Sequence, residues 1–400
     1  MGRYCKKKAL ETLATLTSSE IKILEGIYHH RCLTRPQIEF LIRDQQEQTI
    51  RRSSLNTLLE LKLVVVAYRD YHNRESFCLT SAGVQIVRQT LGLGENILTK
   101  ETRKVIHRGY YTAGKLKPTA NRFDRQNRVN GFYFNLQAIF EKSPYYRKSP
   151  YHFYDYLHCP AHLKVTQCQA LLQTRGFNFF IHYEDFDYTP QTVKQLFKEG
   201  YIKPLTTANE AGESHFFEEL NPVIVLITKT KETADFYRQI FYRIFNDHFS
   251  TFQIIIGTEG EIYDYLFKTF IPTAYQHRKN SLLKQFETQF GLNLKYRHLE
   301  QEKLHKTYSA LFTLNHKAYL VNTFHPLHLN TLYFYFNHYL QVSNLKHGIQ
   351  TLLVITKHKK ELEHQCKLFE TVEFTSYRPH TKIFDLTEDK TLRDLYNALK

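Results

Sequence analysis

Between residues 16 and 91 the apolar positions recur at helical spacing three times and then change to the rhythm of strands. Ile21, Leu24, Ile27 and Tyr28 make one helical face, Ile38, Leu41 and Ile42 a second, and Ile50, Leu55, Leu58 and Leu59 a third. Thr17 stands three residues before Glu20, and Thr34 three before Gln37, which is the spacing of a capping box; Pro36 falls in the first turn of the second helix. "LVVVAYRDY" and "SFCLT", on either side of "HNRE", read as two strands and a turn, and "SAGVQIVRQTL" as a closing helix.

The later chain alternates strands and helices and carries an internal echo. "QALLQTRGFNFFIHYEDF" (169–186) is matched by "SALFTLNHKAYLVNTFHP" (309–326) at an offset of 140. "VIVLITKTKETADFYRQIF" (223–241) is matched by "LLVITKHKKELEHQCKLF" (352–369), and "EIYD" (261–264) by "KIFD" (382–385). An apolar helix and a strand precede each echo, "NLQAIF" with "HFYDYLH" and "SLLKQFETQF" with "LKYRHLE". The unbroken apolar run "VIVLI" predicts a strand covered on both faces. A duplicated unit accounts for the common order of elements, and generic α/β patterning is the alternative.

Charge narrows the partner. Residues 1–91 hold 14 Lys/Arg against 9 Asp/Glu, residues 92–150 hold 12 against 4, and residues 151–400 hold 28 against 26. The excess lies almost wholly in the first two stretches, so a polyanion is expected to meet that part of the chain. Three helices and a hairpin are the order of a winged helix-turn-helix, and "RxxLxxLxxxKLV" from Arg52 to Val64 looks like the end of a recognition helix running into a wing. A glycine often stands where this chain has Lys62. Gln48, Thr49, Arg51, Arg52, Ser53 and Asn56 form a donor-rich stripe suited to the major groove. Arg69, His72, Asn73 and Arg74 on the proposed wing are placed for backbone or minor-groove contact, and Arg35 is a further DNA-binding candidate. In the basic stretch 92–125, Arg103, Lys104, Arg108, Lys115 and Lys117 are interleaved with Tyr110 and Tyr111, a composition that suits stacking on exposed bases or, equally, packing of the tyrosines on a neighbouring domain.

The six cysteines include no C-x-x-C pair, which suits a reducing cytoplasm. "MGRYCKKKAL" lacks the apolar stretch of a signal peptide, and no run is long enough to span a bilayer, so no membrane partner is expected. "FNFFIHYEDFD" (177–187) ends a strand in His182, Glu184, Asp185 and Asp187, the kind of place where a metal-dependent nuclease holds its ligands. His158, Cys159, His162 and Cys168 lie close in sequence but at no standard zinc spacing.

The winged-helix pattern, the basic connector and the strand pair ending in acids together resemble the replication-relaxation proteins of Gram-positive plasmids and other mobile elements, which are similar to MobC-type mobilisation relaxases. The resemblance covers about 16–258 and is strongest in the first of these parts. It implies a mixed fold: a winged helix at 16–91, a connector at 92–125, and two α/β restriction-endonuclease-like units at 126–275 and 280–400. It also implies a DNA partner, duplex or single-stranded, and companion replication or mobilisation proteins. In the family an Asp on one strand and a Glu on the next hold Mg²⁺; those acids fall here on Gln169 and His182, with Glu184 third, and in the second unit on Ser309, Asn322 and Phe324. The expectation is therefore a DNA-binding protein whose endonuclease-like body is catalytically degenerate and needs no cofactor. One alternative is an active nicking enzyme in which Glu141, His182, Glu184 and Asp185 rebuild a site for Mg²⁺ or Mn²⁺. Another is a transcriptional regulator.

Overall fold

The computed structural model describes residues 6–43, 48–94, 97–98, 105–106, 110–141, 151–159, 168–174, 177–184, 189–204, 222–245, 252–270, 283–292, 310–314, 317–330, 351–370, 381–387, 394 and 397. The fold is mixed α/β and divides into two compact units, Met1–Ser143 with Phe153–Pro160, and Pro144–His152 with Ala161–Lys400.

In the first unit the elements run α1 (Lys6–Leu13), α2 (Ser18–His30), β1 (Leu33–Thr34), α3 (Arg35–Leu41), α4 (Gln48–Glu60), β2 (Val64–Arg69), β3 (Glu75–Leu79) and α5 (Ser81–Thr90). The boxes at the starts of α2 and α3 form: the Thr17 N–H donates to Glu20 Oε2 at 2.7 Å, and the Thr34 N–H to Gln37 Oε1 at 2.9 Å. The helices bury Ile23, Leu24, Ile27, Ile38, Leu55 and Leu58 in one core with Leu63, Phe77 and Val87. Ile23 takes the deep place expected of Ile21, which is only half-buried. The strands form a sheet in the order β1-β3-β2, with Leu33 opposite Phe77 and Val64 opposite Leu79.

The junction between α4 and β2 is tightly built. Lys62 has φ 56°, a left-handed conformation that favours glycine, at the position where the sequence pattern wants one. Thr80 Oγ1 donates to the Lys62 carbonyl at 2.7 Å, and a Cβ on Gly83 would stand 2.2 Å from the Leu63 carbonyl oxygen. Helix α5 can therefore approach the start of β2 only because residue 83 has no side chain.

Residues 92–125 do not behave as a loose connector from Tyr110 onward. After the small ribbon β4 (Ile97–Leu98) and β5 (Val105–Ile106), Tyr111 and the α6 (Ala113–Leu116) residue Leu116 are buried in the core of the first unit. The Tyr111 N–H donates to Tyr28 Oη at 3.1 Å, its hydroxyl to the Leu157 carbonyl at 2.7 Å, and Gln85 Nε2 donates to Tyr110 Oη at 3.2 Å. Tyr111 is thus a packing element, and Tyr110 packs half-buried against the same core.

Helix α7 (Phe123–Glu141), expected to open a new domain at 126, belongs to the first unit. Its amides satisfy the turn between α2 and β1. Gln126 Nε2 and Asn130 Nδ2 donate to the His30 carbonyl, each at 3.2 Å, and Asn130 Nδ2 also lies 2.5 Å from the Cys32 carbonyl. Asn127 Nδ2 donates to Ser76 Oγ at 2.9 Å, which ties β3 to the same helix. Strand β6 (His152–Asp155) follows, with Phe153 onward in this unit.

In the second unit β7 (Ala170–Gln173), β8 (Asn178–Tyr183), β9 (Pro222–Thr228) and β10 (Gln253–Thr258) lie side by side, β7 antiparallel to β8 and the next two pairs parallel. β9 is buried along its whole length, as "VIVLI" predicts. Helix α8 (Pro190–Phe197) runs into a π-turn at Lys198–Ile202, and α9 (Lys231–Phe245) and α10 (Glu259–Phe270) follow β9 and β10. A second sheet, β11 (Ala310–Leu314), β12 (Lys317–Thr323), β13 (Thr351–Thr356) and β14 (Thr381–Asp385), has the same sequence of pairings. The registers agree as well: Ala170 pairs with Ile181 as Ala310 does with Val321, and His182 with Leu226 as Asn322 does with Val354. Helix α11 (Lys359–Glu370) follows β13 as α9 follows β9. One element of the expected echo is misaligned. "EIYD" lies in α10, whereas "KIFD" lies in β14, whose counterpart by register is β10.

The two sheets are joined by side chains and by a shared edge. His364 Nε2 in α11 lies 2.9 Å from Asp235 Oδ2 in α9, and Gln239 Nε2 donates to the Leu368 carbonyl at 3.3 Å. The Ile256 N–H donates to the Leu327 carbonyl at 3.0 Å, and Asn330 bonds the Ile254 N–H at 2.8 Å and the Phe252 carbonyl at 2.7 Å. The segment after β12 thus pairs with the edge of β10.

Replacing Asn130 by Ala leaves the Cys32 carbonyl without its side-chain donor in a buried turn. We expect a loss of about 1–3 kcal/mol in chemical denaturation; a change within the scatter of surface substitutions would contradict this role for α7.

Candidate functional site

Two regions were singled out by sequence: the polar stripe with the hairpin in the first unit, and the end of β8 in the second. On α4, Ser53 and Asn56 are exposed while Ser54, Leu55 and Leu58 are buried. Gln48, Thr49, Arg51 and Arg52 lie in the first turns of α4. Arg35 opens α3, with its guanidinium 5.6 Å from the Phe77 ring centroid and 3.9 Å from Glu75 Oε2. Lys115 and Lys117 are exposed at and after α6. Arg103, Lys104 and Arg108 lie outside the described residues.

On the hairpin, Arg69 and Arg74 project into solvent, but each is tethered. Arg69 Nη2 is 2.8 Å from Glu75 Oε1, and Arg74 Nε is 2.7 Å from Asp70 Oδ2. Asn73 has φ 59° and closes the turn by donating its N–H to the Asp70 carbonyl at 2.9 Å.

At the end of β8 the described polar side chains bond within the scaffold. His182 points into an aromatic core: its ring packs 4.7 Å from Phe197, and Nε2 lies 2.7 Å from the Tyr201 hydroxyl. The π-turn at Lys198–Ile202 carries that tyrosine. Burial lowers the His182 pKa to about 3, so the imidazole is neutral at physiological pH. Glu184 faces another group, its Oε2 accepting the Lys229 N–H at 3.0 Å. Gln169, standing where the family pattern wants an acid, accepts the Tyr183 N–H at 2.6 Å and so closes the strand pair. Glu141, in the first unit, is ion-paired with Arg43. Asp185 and Asp187 lie outside the described residues, as do Ser309 and His162. Among the described residues no three His, Cys, Asp or Glu side chains come together as a metal site. None of their helices is long and apolar enough to cross a membrane.

A buried polar group in the first unit was not foreseen. His158 Nδ1 lies 2.7 Å from Asp155 Oδ1, whose other oxygen is 3.7 Å from Arg31 Nε. Burial pushes the Asp155 carboxyl up, but hydrogen bonds and charge from His158, together with Arg31, outweigh it and hold the group below its ordinary range. Arg31 also donates to the Leu116 carbonyl at 2.9 Å and to Gln126 Oε1 at 3.2 Å. The group thereby fastens β6, α6 and α7 to the end of α2. Only the short spacing from Asp155 to His158 signalled it, because Arg31 is remote in sequence.

Comparison with family models, with curated proteins and with solved structures returns no match.

The buried histidines set a pH dependence. His30 and His182 have pKa values lowered to about 3, and His328 to about 4, each by burial. Their unfolded-state values are near the ordinary 6.5, so below that pH the unfolded chain binds protons that the folded chain does not. Their stabilising contribution is therefore full above pH 6.5 and declines as pH falls toward the folded values. Each histidine adds a slope of up to about 1.4 kcal/mol per pH unit. Denaturation of wild type and His182→Gln between neutral and mildly acid pH should show a shallower loss in the variant; equal slopes would contradict a neutral buried imidazole.

Proposed function

We propose that the chain is a DNA-binding protein that recognises its site through a winged helix in the first unit. The observation that carries this reading is the placement of β1. It lies between α2 and α3 and pairs with β3, so that helices and a β1-β3-β2 sheet share one core, with Ser53 and Asn56 of α4 exposed. That arrangement suits insertion of α4 into a major groove with the hairpin against the flanking backbone. The concentration of positive charge before residue 151 supports a polyanionic partner.

The second unit, in this reading, descends from a duplicated endonuclease-like ancestor and has lost its chemistry. Support comes from the matching pairings and registers of the two sheets. Further support comes from Gln169 and His182, which occupy the expected acid positions and make structural hydrogen bonds. A degenerate body of this kind serves to grip DNA or to dock a replication or mobilisation protein, and a plasmid or other mobile element is the setting the sequence resemblance favours.

The test is DNA affinity of the full chain carrying Arg51→Ala or Arg52→Ala, measured on duplexes selected from a random pool. A base-reading arginine should cost about 1–3 kcal/mol, with relaxed preference at one position. Unchanged affinity and preference in both variants, with the fold intact, would remove α4 from the interface.

A further inference from the structure

The hairpin between β2 and β3 ends in a ring that is open to solvent. Tyr71 is 87% exposed, far more than any other exposed large hydrophobic side chain among the described residues. Its neighbour His72 lies close beside it, with ring centroids 3.9 Å apart.

The ring is mounted on a stiff turn. Asp70 Oδ1 accepts the N–H groups of His72 at 2.9 Å and Arg74 at 2.8 Å, and the Asp70 N–H donates to the Arg74 carbonyl at 3.1 Å. Asn73 takes the left-handed conformation that closes the turn. A turn held this way loses little backbone freedom when its ring binds.

The charges around it cancel. Arg69 is paired with Glu75, and Arg74 with Asp70, so the hairpin carries two cations and two anions. Such a tip carries no net charge, so attraction to phosphates alone gives it little hold on a strand. What it offers is an aromatic face, flanked by two exposed guanidiniums that can orient a strand. Nucleobases bind such a face by stacking, but in a continuous duplex their faces are already covered by neighbouring bases.

We propose that Tyr71, backed by His72, stacks on an unpaired base, so that the preferred ligand is DNA in which a duplex meets a single-stranded segment. This inference rests on the DNA-binding reading above and names the form of DNA that the same unit takes. The α4 edge would engage the duplex while the hairpin tip meets the base at the junction.

Fluorescence anisotropy with the full chain tests it, using a plain duplex and a fork of the same duplex sequence with unpaired arms. The fork should bind about tenfold more tightly, the scale of one base–aromatic stack. Tyr71→Ala should abolish that difference while leaving plain-duplex affinity unchanged, and Tyr71→Phe should keep it. Equal binding of fork and duplex by the wild-type chain, or an equal loss on both probes in Tyr71→Ala, overturns the proposal while leaving duplex recognition standing. Failure of both probes to bind overturns duplex recognition as well.

Discussion

The first unit depends on satisfying one buried turn. Where α2 gives way to β1, the carbonyls of His30 and Cys32 are withdrawn from water, and backbone acceptors so placed must find donors. Gln126 and Asn130 supply them from α7, and Asn127 extends the same face to Ser76 on β3. The turn fixes where β1 begins, β1 fixes β3 by pairing, and β3 fixes the hairpin. On the other side, Thr80 and the bare backbone of Gly83 bring α5 against the exit from α4. The relative placement of α4 and the hairpin, on which any groove-reading role rests, is thus set by polar contacts that begin outside the segment 16–91.

The second unit uses its polar groups differently. Gln169, His182 and Glu184 occupy a strand end that could have held ligands, yet each has a bonding partner in the scaffold. A neutral histidine bonded to Tyr201 and packed against Phe197 stabilises the sheet's cover, and moving it toward a metal would expose that aromatic core. The docking of Leu327–Asn330 on β10 makes the second sheet part of the first sheet's edge.

Local devices were legible in the sequence, and long-range ones were not. The capping boxes at Thr17 and Thr34, the hairpin and the fully buried strand β9 all follow from spacings of a few residues. β1 escaped notice because two residues carry no periodicity. The tyrosines of 110–111 suit stacking and packing equally when read from sequence, because their partners, Tyr28, Gln85 and Leu157, are far along the chain. The alignment of "EIYD" with "KIFD" followed identity where register is the better guide, and register puts β10 opposite β14. His182 was weighed as a ligand because nothing nearby in sequence announces Tyr201 as its partner. Tyr71 carries no periodic signal in the sequence, and the charges around it, which do stand out, pair with one another.

The central claim, that the basic first unit meets DNA through phosphates and bases, is tested most directly by the salt dependence of DNA affinity. Phosphate contacts release condensed counterions, so affinity should fall about tenfold or more when monovalent salt rises from roughly 50 to 200 mM. Affinity that stays flat across that range would contradict the account and point to a protein partner for the same surface.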